Sequence, residues 1–182
     1  PESDTCIYSD DLMEVLADKD FSIVNLECSL TESNKYINKN GVHIKRAPKY
    51  ISHIKQGQFN AVCLSNNHIR DFNDTGVLDT IKTCKNNGIQ YVGAGRNINE
   101  ARKPLRLNIK GSRISFLNYC EIENSIATDK KAGANPFNLI SVYYDIKKEK
   151  QDSDFVFIIY HGGLEYHNIP LPGLKRSFEY MI

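Results

Sequence analysis

Five short apolar segments, separated by longer amphipathic ones, constrain the fold of this chain most strongly. They are four to six residues long and rich in β-branched and aromatic side chains, at 21–26, 59–64, 89–92, 114–119 and 155–160. Such runs are typical of strands that are buried on both faces of a sheet. Helical patterns occupy 11–17, 74–87, 139–150 and 174–182. This alternation predicts an α/β fold built on a largely parallel sheet.

The helix at 74–87 has the clearest boundaries. Asp74 is placed to cap its first turn, and Gly88 is placed to end it. Its apolar residues fall on one face, which we expect to pack against the sheet: Val77, Leu78, Ile81 and Cys84.

A turn at Lys110-Gly111 separates two strand-like runs and predicts a hairpin, so that one antiparallel pair joins the parallel strands and the sheet is mixed. Two polar stretches, 31–48 and 121–136, lack either periodicity and are predicted to be long loops. Loops of this length are uncommon in compact domains and often carry function.

Composition excludes several classes of protein. A length of 182 residues predicts a single domain spanning 1–182. Lysine and arginine (23) nearly balance aspartate and glutamate (22), which argues against nucleic acid as a partner. The longest apolar run, 155–160, is far shorter than the roughly 20 residues that cross a bilayer, so no transmembrane segment is expected in this chain.

The five cysteines form no CxxC pair and no metal-ligand spacing. Most lie among apolar residues, where a free thiol behaves as a small hydrophobic side chain. We therefore expect structural thiols, and with them a weak preference for a reducing environment.

Three predicted strands end in side chains that can bind a metal or carry a proton. Glu27 follows the first strand, Asn67 and His68 follow the second, and His161 follows the last. The carboxyl ends of parallel strands line one edge of a sheet, where ligands bind, so a shared edge would bring these residues into one crevice.

The residue types at these strand ends favour a catalytic metal. Carboxylate oxygen, amide oxygen and imidazole nitrogen suit Mn, Fe or Zn, and the absence of cysteine from the strand ends argues against structural zinc. Two such ions can hold a phosphate ester from both sides and generate a hydroxide at neutral pH. A nearby histidine can then protonate the leaving oxygen.

Several motifs carry a family resemblance in the correct order. They are NLECSL at 25–30, LSNNHIRD at 64–71, Asp79-Thr80, GAG at 93–95 with Glu100-Ala101, and HGGLEY at 161–166 followed by Pro170. Together they resemble the bacterial capsule-synthesis CapA family, also called the poly-gamma-glutamate synthesis proteins, of the calcineurin-like metallophosphoesterase superfamily. The similarity runs from about residue 20 to the end of the chain.

The resemblance implies a metallophosphoesterase-like four-layer α/β/β/α sandwich with mixed sheets and a centre that is dinuclear in the full-length protein. By position, Glu27, Asn67 and His161 correspond to metal ligands. His68 corresponds to the histidine that contacts the phosphoryl or leaving group. Asp71 and Glu165 match the family's own pattern, and we expect them to orient His68 and His161, respectively.

The resemblance also implies a role in making or exporting an anionic polymer at the bacterial cell envelope. The expected partners are an anionic polymer or phosphoester substrate and other capsule-synthesis proteins. No Gly-Asp strand end precedes Asp10, and no His-x-His element comes before Ile182. We therefore expect a fragment of the domain, with an incomplete metal shell. The alternative is a non-catalytic envelope accessory protein that keeps the fold and binds polymer or partner proteins.

Overall fold

The structure is a computed structural model that describes residues 6–181. The strands are β1 Ile23–Asn25, β2 Ser29–Leu30, β3 Lys45–Arg46, β4 Ala61–Cys63, β5 Gln90–Val92, β6 Ala94–Gly95, β7 Leu105–Ile109, β8 Ser112–Cys120, β9 Gly133–Ala134 and β10 Phe155–His161. The helices are α1 Asp10–Ala17, α2 Ile51–Gln56, α3 Asn73–Asn86, α4 Ile98–Ala101, α5 Leu139–Asp152 and α6 Pro172–Met181, with a 3₁₀ turn at Pro48–Tyr50. All five predicted strands and four predicted helices are present; the predicted helix end at Ile182 lies outside the described residues.

The first sheet has the order β1-β4-β5 and is entirely parallel. Its central strand pairs Ala61 with Ile23 on one side and Val62 with Tyr91 on the other. All three residues of β4 are buried, as the unbroken apolar run predicts.

The second sheet has the order β10-β8-β7, in which β8 is parallel to β10 and antiparallel to β7. The predicted hairpin is confirmed: Lys110 and Gly111 both adopt positive φ, as a two-residue type I′ turn between twisted strands requires.

The two sheets lie between helices. α3 packs against β5 of the first sheet, β5 contacts β7 and β8 of the second, and α5 packs against β10. This order of helix, sheet, sheet and helix confirms the α/β fold with mixed sheets. Within residues 6–181, no helix is long and apolar enough to cross a membrane.

Two details of α3 differ from the sequence prediction. Asp74 does not cap the helix: the helix begins at Asn73, and the Asp74 carboxylate accepts hydrogen bonds from Arg70 and from the Ala132 backbone N–H. The Asp74 carboxylate thus binds the backbone of the long loop 121–136 instead of the free N–H groups in the first turn of α3. Leu78 is exposed, whereas Val77 is buried. The predicted stop is confirmed, since Gly88 takes φ +70°.

The prediction that the strands are buried on both faces is wrong for the edge strands β1, β5 and β10, and β10 shows the difference most clearly. β10 is an edge strand, and only one set of alternate side chains, Val156 and Ile158, packs into the cluster beneath α5. Phe155 and Phe157 point to the other side and are about half exposed, at 55% and 48%. The apolar composition of β10 does not show which of its two faces is left without a covering element.

The two predicted loops are not wholly irregular. Each supplies one short strand, β3 in the first and β9 in the second, which pair with β2 and β6. Two-residue strands are too short to produce a periodic signal in sequence. The cysteines are free, and Cys63, Cys84 and Cys120 are buried, as expected of structural thiols.

Candidate functional site

The ends of strands from both sheets meet in one place. His161, the last residue of β10, places Nε2 3.1 Å from Asn67 Oδ1 and 3.7 Å from Glu27 Oε1. The expectation of a single shared sheet edge is wrong, because β10 lies in the second sheet while β1 and β4 lie in the first. The predicted residues are nevertheless adjacent, because the two sheets face each other.

A hydrogen-bonded seam fixes this junction. The buried Asn118 of β8 accepts a hydrogen bond from the backbone N–H of Ser65 and donates one to the carbonyl of Ile159 in β10. Asn135 donates to the Asn118 carbonyl, and its own carbonyl accepts from the Ser65 hydroxyl. We call Ser65, Asn118 and Asn135 the amide seam; it joins the loop after β4 to the second sheet.

A second set of hydrogen bonds shapes the loop that carries Asn67. Asn66 is fully buried, and its amide donates to the Leu26 carbonyl and to Asn25 Oδ1. Asn66 Oδ1 in turn accepts from the backbone N–H of His68. Asn25 also donates to Glu27 Oε2 at 3.1 Å, which holds that carboxylate in place. The loops after β1 and β4 are thereby fixed relative to each other.

The three residues open onto a cleft of about 420 Å³. Its wall includes four carboxylate side chains and no lysine or arginine among the described residues; the carboxylates are Glu27, Glu121, Glu123 and Glu165. An uncompensated cluster of carboxylates favours cations. The cleft is therefore suited to a cation, and an anionic substrate would need that cation to bind there.

Glu121 and Glu123 were not singled out from the sequence. They begin the long loop after β8, and the only signal available was the length of that loop. Glu121 Oε2 accepts a hydrogen bond from the backbone N–H of Gly163 at 3.1 Å. Gly163 and Gly162 adopt φ +129° and +155°, and a Cβ on Gly162 would lie 2.7 Å from the Tyr160 hydroxyl. Glycine is thus needed where the chain leaves β10.

His68 lies in a buried polar cluster beside the cleft. Its Nδ1 is 2.7 Å from Asp71 Oδ2, and Lys39 forms an ion pair with the other oxygen of Asp71. The Asp71 side chain is fully buried and also accepts from the Ile44 backbone N–H at 2.7 Å. Asp71 therefore contacts His68 as the resemblance implies, and Lys39 is a member that the sequence did not reveal.

Two of the predicted site residues, His68 and Glu165, form no hydrogen bond with the side chains of Glu27, Asn67 and His161 among the described residues. Among the described residues, His68 is not part of the cleft wall, although its neighbour Asn67 is. The Glu165 carboxylate reaches the wall but makes no hydrogen bond to His161 within residues 6–181. The roles implied for His68 and Glu165 stay predictions.

Burial keeps two other cleft groups protonated. Burial raises the pKa of the Cys120 thiol, and hydrogen bonds from Ser65 and Ser125 lower it by less. Burial, together with the negative charge of Glu121, raises the pKa of Tyr160 to about 12. Since thiolates bind metals and attack electrophiles while thiols do not, Cys120 is a structural residue of the wall.

The donor set of Glu27, Asn67 and His161 fits a divalent metal ion. Zinc lies about 2.0–2.2 Å from nitrogen and oxygen ligands, so two ligands of one ion are separated by roughly 3–3.6 Å. The observed separations of 3.1 and 3.7 Å are close to that range. No group of three His, Cys, Asp or Glu side chains within residues 6–181 is arranged to hold a metal. The third donor here is the Asn67 amide.

A family model and individual relatives both relate this chain to bacterial capsule synthesis proteins. The sequence model described as "Bacterial capsule synthesis protein PGA_cap" matches residues 4–182. The capsule biosynthesis protein CapA of Bacillus anthracis is 30% identical over 147 residues, which cover 78% of this chain and 36% of that protein.

Two further relatives are more distant. The PGA biosynthesis protein CapA of Bacillus subtilis is 24% identical over 155 residues, covering 83% of this chain and 41% of that protein. A probable polyglutamine synthesis accessory protein of Mycobacterium tuberculosis is 27% identical over 106 residues, or 58% of this chain and 28% of that protein. The chain thus spans less than half the length of these curated relatives.

Proposed function

Because the chain belongs to the family of bacterial capsule synthesis proteins called PGA_cap, we propose that it acts in the synthesis of a poly-γ-glutamate capsule at the cell envelope. It does so together with other capsule-synthesis proteins, through a metal-dependent, phosphoesterase-like site. Relatives named for capsule and PGA biosynthesis support the biological role. The convergence of Glu27, Asn67 and His161 at the wall of an acidic cleft supports the metal site.

Glu27, Asn67 and His161 would hold one divalent ion, Mn, Fe or Zn, with an oxygen, an oxygen and a nitrogen donor, respectively. When bound, such an ion polarises a phosphoryl oxygen and supplies a hydroxide at neutral pH. Asn25 orients the Glu27 carboxylate through its hydrogen bond to Oε2. The surrounding carboxylates raise the local concentration of cations, which favours loading of the site.

His68 protonates the leaving oxygen of a phosphoester. Asp71 Oδ2, 2.7 Å away, can accept the proton on Nδ1, so the proton given to the leaving oxygen would be the one that the imidazolium carries on Nε2. Lys39 balances the charge of Asp71, so the cluster has no uncompensated buried anion. Asp71 is therefore a positioning residue, whereas Glu165 lies at the cleft wall and adds to the negative charge that attracts a cation.

Titration with Mn²⁺, followed by isothermal calorimetry, tests the metal site. Glu27→Gln and His161→Ala are expected to raise the Kd for Mn²⁺ by at least about tenfold, because each removes a donor. Glu14→Gln, an exposed helix residue outside the cleft wall, is the control and should leave the Kd unchanged. Failure of the parent chain to take up Mn²⁺, or equal affinity in all four proteins, would overturn the site.

A model phosphodiester tests the chemistry in the same preparations. His68→Ala should lower the turnover of the Mn²⁺-loaded protein by about 10²–10⁴-fold without changing its Kd for the ion. Unchanged turnover would remove the proposed role of His68.

A non-catalytic accessory role is the second candidate. The name of the mycobacterial relative favours it, since it describes an accessory protein of polyglutamine synthesis. It is also favoured because no three His, Cys, Asp or Glu side chains within residues 6–181 are grouped to hold a metal ion. This candidate predicts polymer or partner binding by a protein that takes up no metal, so the Mn²⁺ titration separates the two.

A further inference from the structure

A second groove shares no residue with the acidic cleft. It is formed by two adjoining hollows of about 240 and 300 Å³, one beside β5 and one along α3. Both are lined by Lys85, Arg96 and Glu100, which makes them continuous. Lys103 lies at one end and Lys82 at the other. We call these five residues and Tyr91 the basic groove.

The basic groove is positively charged. Four of its ionisable side chains are cationic and one, Glu100, is anionic, which leaves three positive charges in excess. Lys82, Lys85 and Lys103 form no ion pair within residues 6–181. The acidic cleft has the opposite composition: the part of its wall formed by residues 6–181 has four carboxylates and no lysine or arginine. The domain therefore separates a site for cations from one for anions.

The groove already holds one carboxylate. Arg96 Nε donates to both oxygens of Glu100, at 3.0 and 3.1 Å, and Nη2 donates to Oε1 at 2.7 Å. Arginine recognises carboxylates through this forked geometry. The pair is accessible, with the Arg96 side chain 72% exposed, so an incoming carboxylate can exchange with Glu100.

The lysines are held on a rigid support. Lys82 and Lys85 are three residues apart on α3, so their Cβ atoms lie about 5–6 Å apart on one face. The same helix buries Ile81 and Cys84, which fix its rotation against the first sheet. The Lys85 ammonium lies 5.8 Å from the centre of the Tyr91 ring. The result is a row of cations with restricted positions.

We propose that the basic groove binds a chain of carboxylates, and specifically the poly-γ-glutamate polymer. The inference rests on the proposed function for the choice of polymer, and adds a binding site that is separate from the metal site. A row of cations suits a polymer that repeats one negative charge per unit, because several weak contacts act together. Arg96 supplies the specific carboxylate contact, and the lysines supply the remaining charge.

Binding of fluorescently labelled poly-γ-glutamate, measured by anisotropy at low salt, tests the proposal. The double variant Lys82→Glu, Lys85→Glu should raise the Kd by about tenfold or more, since it reverses the local field. The matched control is Lys147→Glu, Lys150→Glu, which makes the same charge change at the same spacing on the other 14-residue helix, α5. The control should change the Kd less than twofold.

Three results would overturn the proposal: no binding by the parent chain, an equal loss in both double variants, or equally tight binding of a labelled RNA with the same loss in the groove variant. Lys82→Gln, Lys85→Gln is a second variant, in case charge reversal disturbs the fold; it should give a smaller loss than the glutamate variant.

The same proteins keep this proposal distinct from the metal site. The groove variant should retain the parent Kd for Mn²⁺, and Glu27→Gln should retain the parent Kd for the polymer. Loss of polymer binding with intact Mn²⁺ uptake concerns the groove alone. A chain that binds polymer through the groove but no Mn²⁺ would support the groove and remove the metal-dependent function.

Discussion

The two sheets of this domain are stabilised in different ways. Around the first sheet the core is large and apolar, and the charges that enter it are buried together, as in the Lys39–Asp71 pair. Around the second sheet the apolar cluster is smaller, and arginine pairs from β7 and β8 to Glu149 and Asp154 hold its edges. We call these two regions the first and the second half of the domain. In the first half the charge pair is buried, whereas in the second half the paired arginines are exposed, so we expect their pairs to contribute less stability.

The difference bears on the candidate site, because its residues come from both halves. Glu27 and Asn67 lie on loops fixed by the buried Asn66. His161 ends an edge strand, and its side chain is 28% exposed. The Glu27 side chain is 43% exposed, so both sides of the site are accessible to a ligand, and the hydrogen bonds of Asn66 and Asn118 hold the backbone of each side in place.

The largest effect is expected from Asp71→Asn, which breaks the buried charge pair of the first half. Lys39 then remains buried opposite a neutral amide, and we expect the free energy of unfolding to fall by about 3–5 kcal/mol. Urea denaturation measures it. Asp154→Asn, which breaks the exposed pair with Arg113 in the second half, is the control and should have a far smaller effect. Similar losses would refute the contrast in burial.

A smaller difference is expected between apolar residues of the two halves. Leu64 is fully buried, so Leu64→Ala should cost about 2–5 kcal/mol of unfolding free energy. Phe157 is half exposed, so Phe157→Ala should cost only about 1 kcal/mol despite the larger side chain. Denaturation curves of both variants in one buffer make the comparison. If Phe157→Ala is the more costly, the uncovered face of β10 contributes more than its exposure indicates.

The smallest effect concerns pH and the second half. Burial raises the pKa of Glu149, but hydrogen bonds from Arg106 and Ser115 outweigh it and hold the pKa below the ordinary value. A lowered folded-state pKa gives stability that is complete above the unfolded value of about 4.3 and is lost as pH falls through the folded one.

Glu149→Gln should therefore cost about 1–2 kcal/mol at pH 7 and less near pH 3, below the unfolded-state pKa, where the parent has lost part of the same interaction. Thermal unfolding at the two pH values measures the difference. A constant difference between parent and variant would show that packing, rather than charge, accounts for the contribution of Glu149.

Much of the fold followed from local pattern. The strand runs and the hairpin at Lys110-Gly111 were predicted because apolar period and turn chemistry act over a few residues. The split into two sheets followed from the family resemblance and not from local pattern, since strand pairing depends on contacts between distant segments. The prediction that Asp74 caps α3 failed because its hydrogen-bond partner, the Ala132 N–H, lies on a loop that is distant in sequence.

Those residues of the candidate site that directly follow a predicted strand could be predicted from the sequence. Glu27, Asn67 and His161 each follow an apolar run, and the structure brings them together. Lys39 and Glu121 were missed because they lie in loops, where position depends on tertiary contacts rather than on sequence period. The only sequence feature that indicated a function there was the length of the two predicted loops: Lys39 lies in 31–48 and Glu121 in 121–136.

The amide seam determines how this constellation could be transplanted. Asn118 connects the turn after β4 to the backbone of β10, and a Cβ at Gly93 would lie 2.2 Å from its Oδ1. A designer who copied only the three donor residues into another scaffold would leave behind the connection that sets their spacing. The smallest portable unit is therefore the donors together with Asn118 and the glycine beside it.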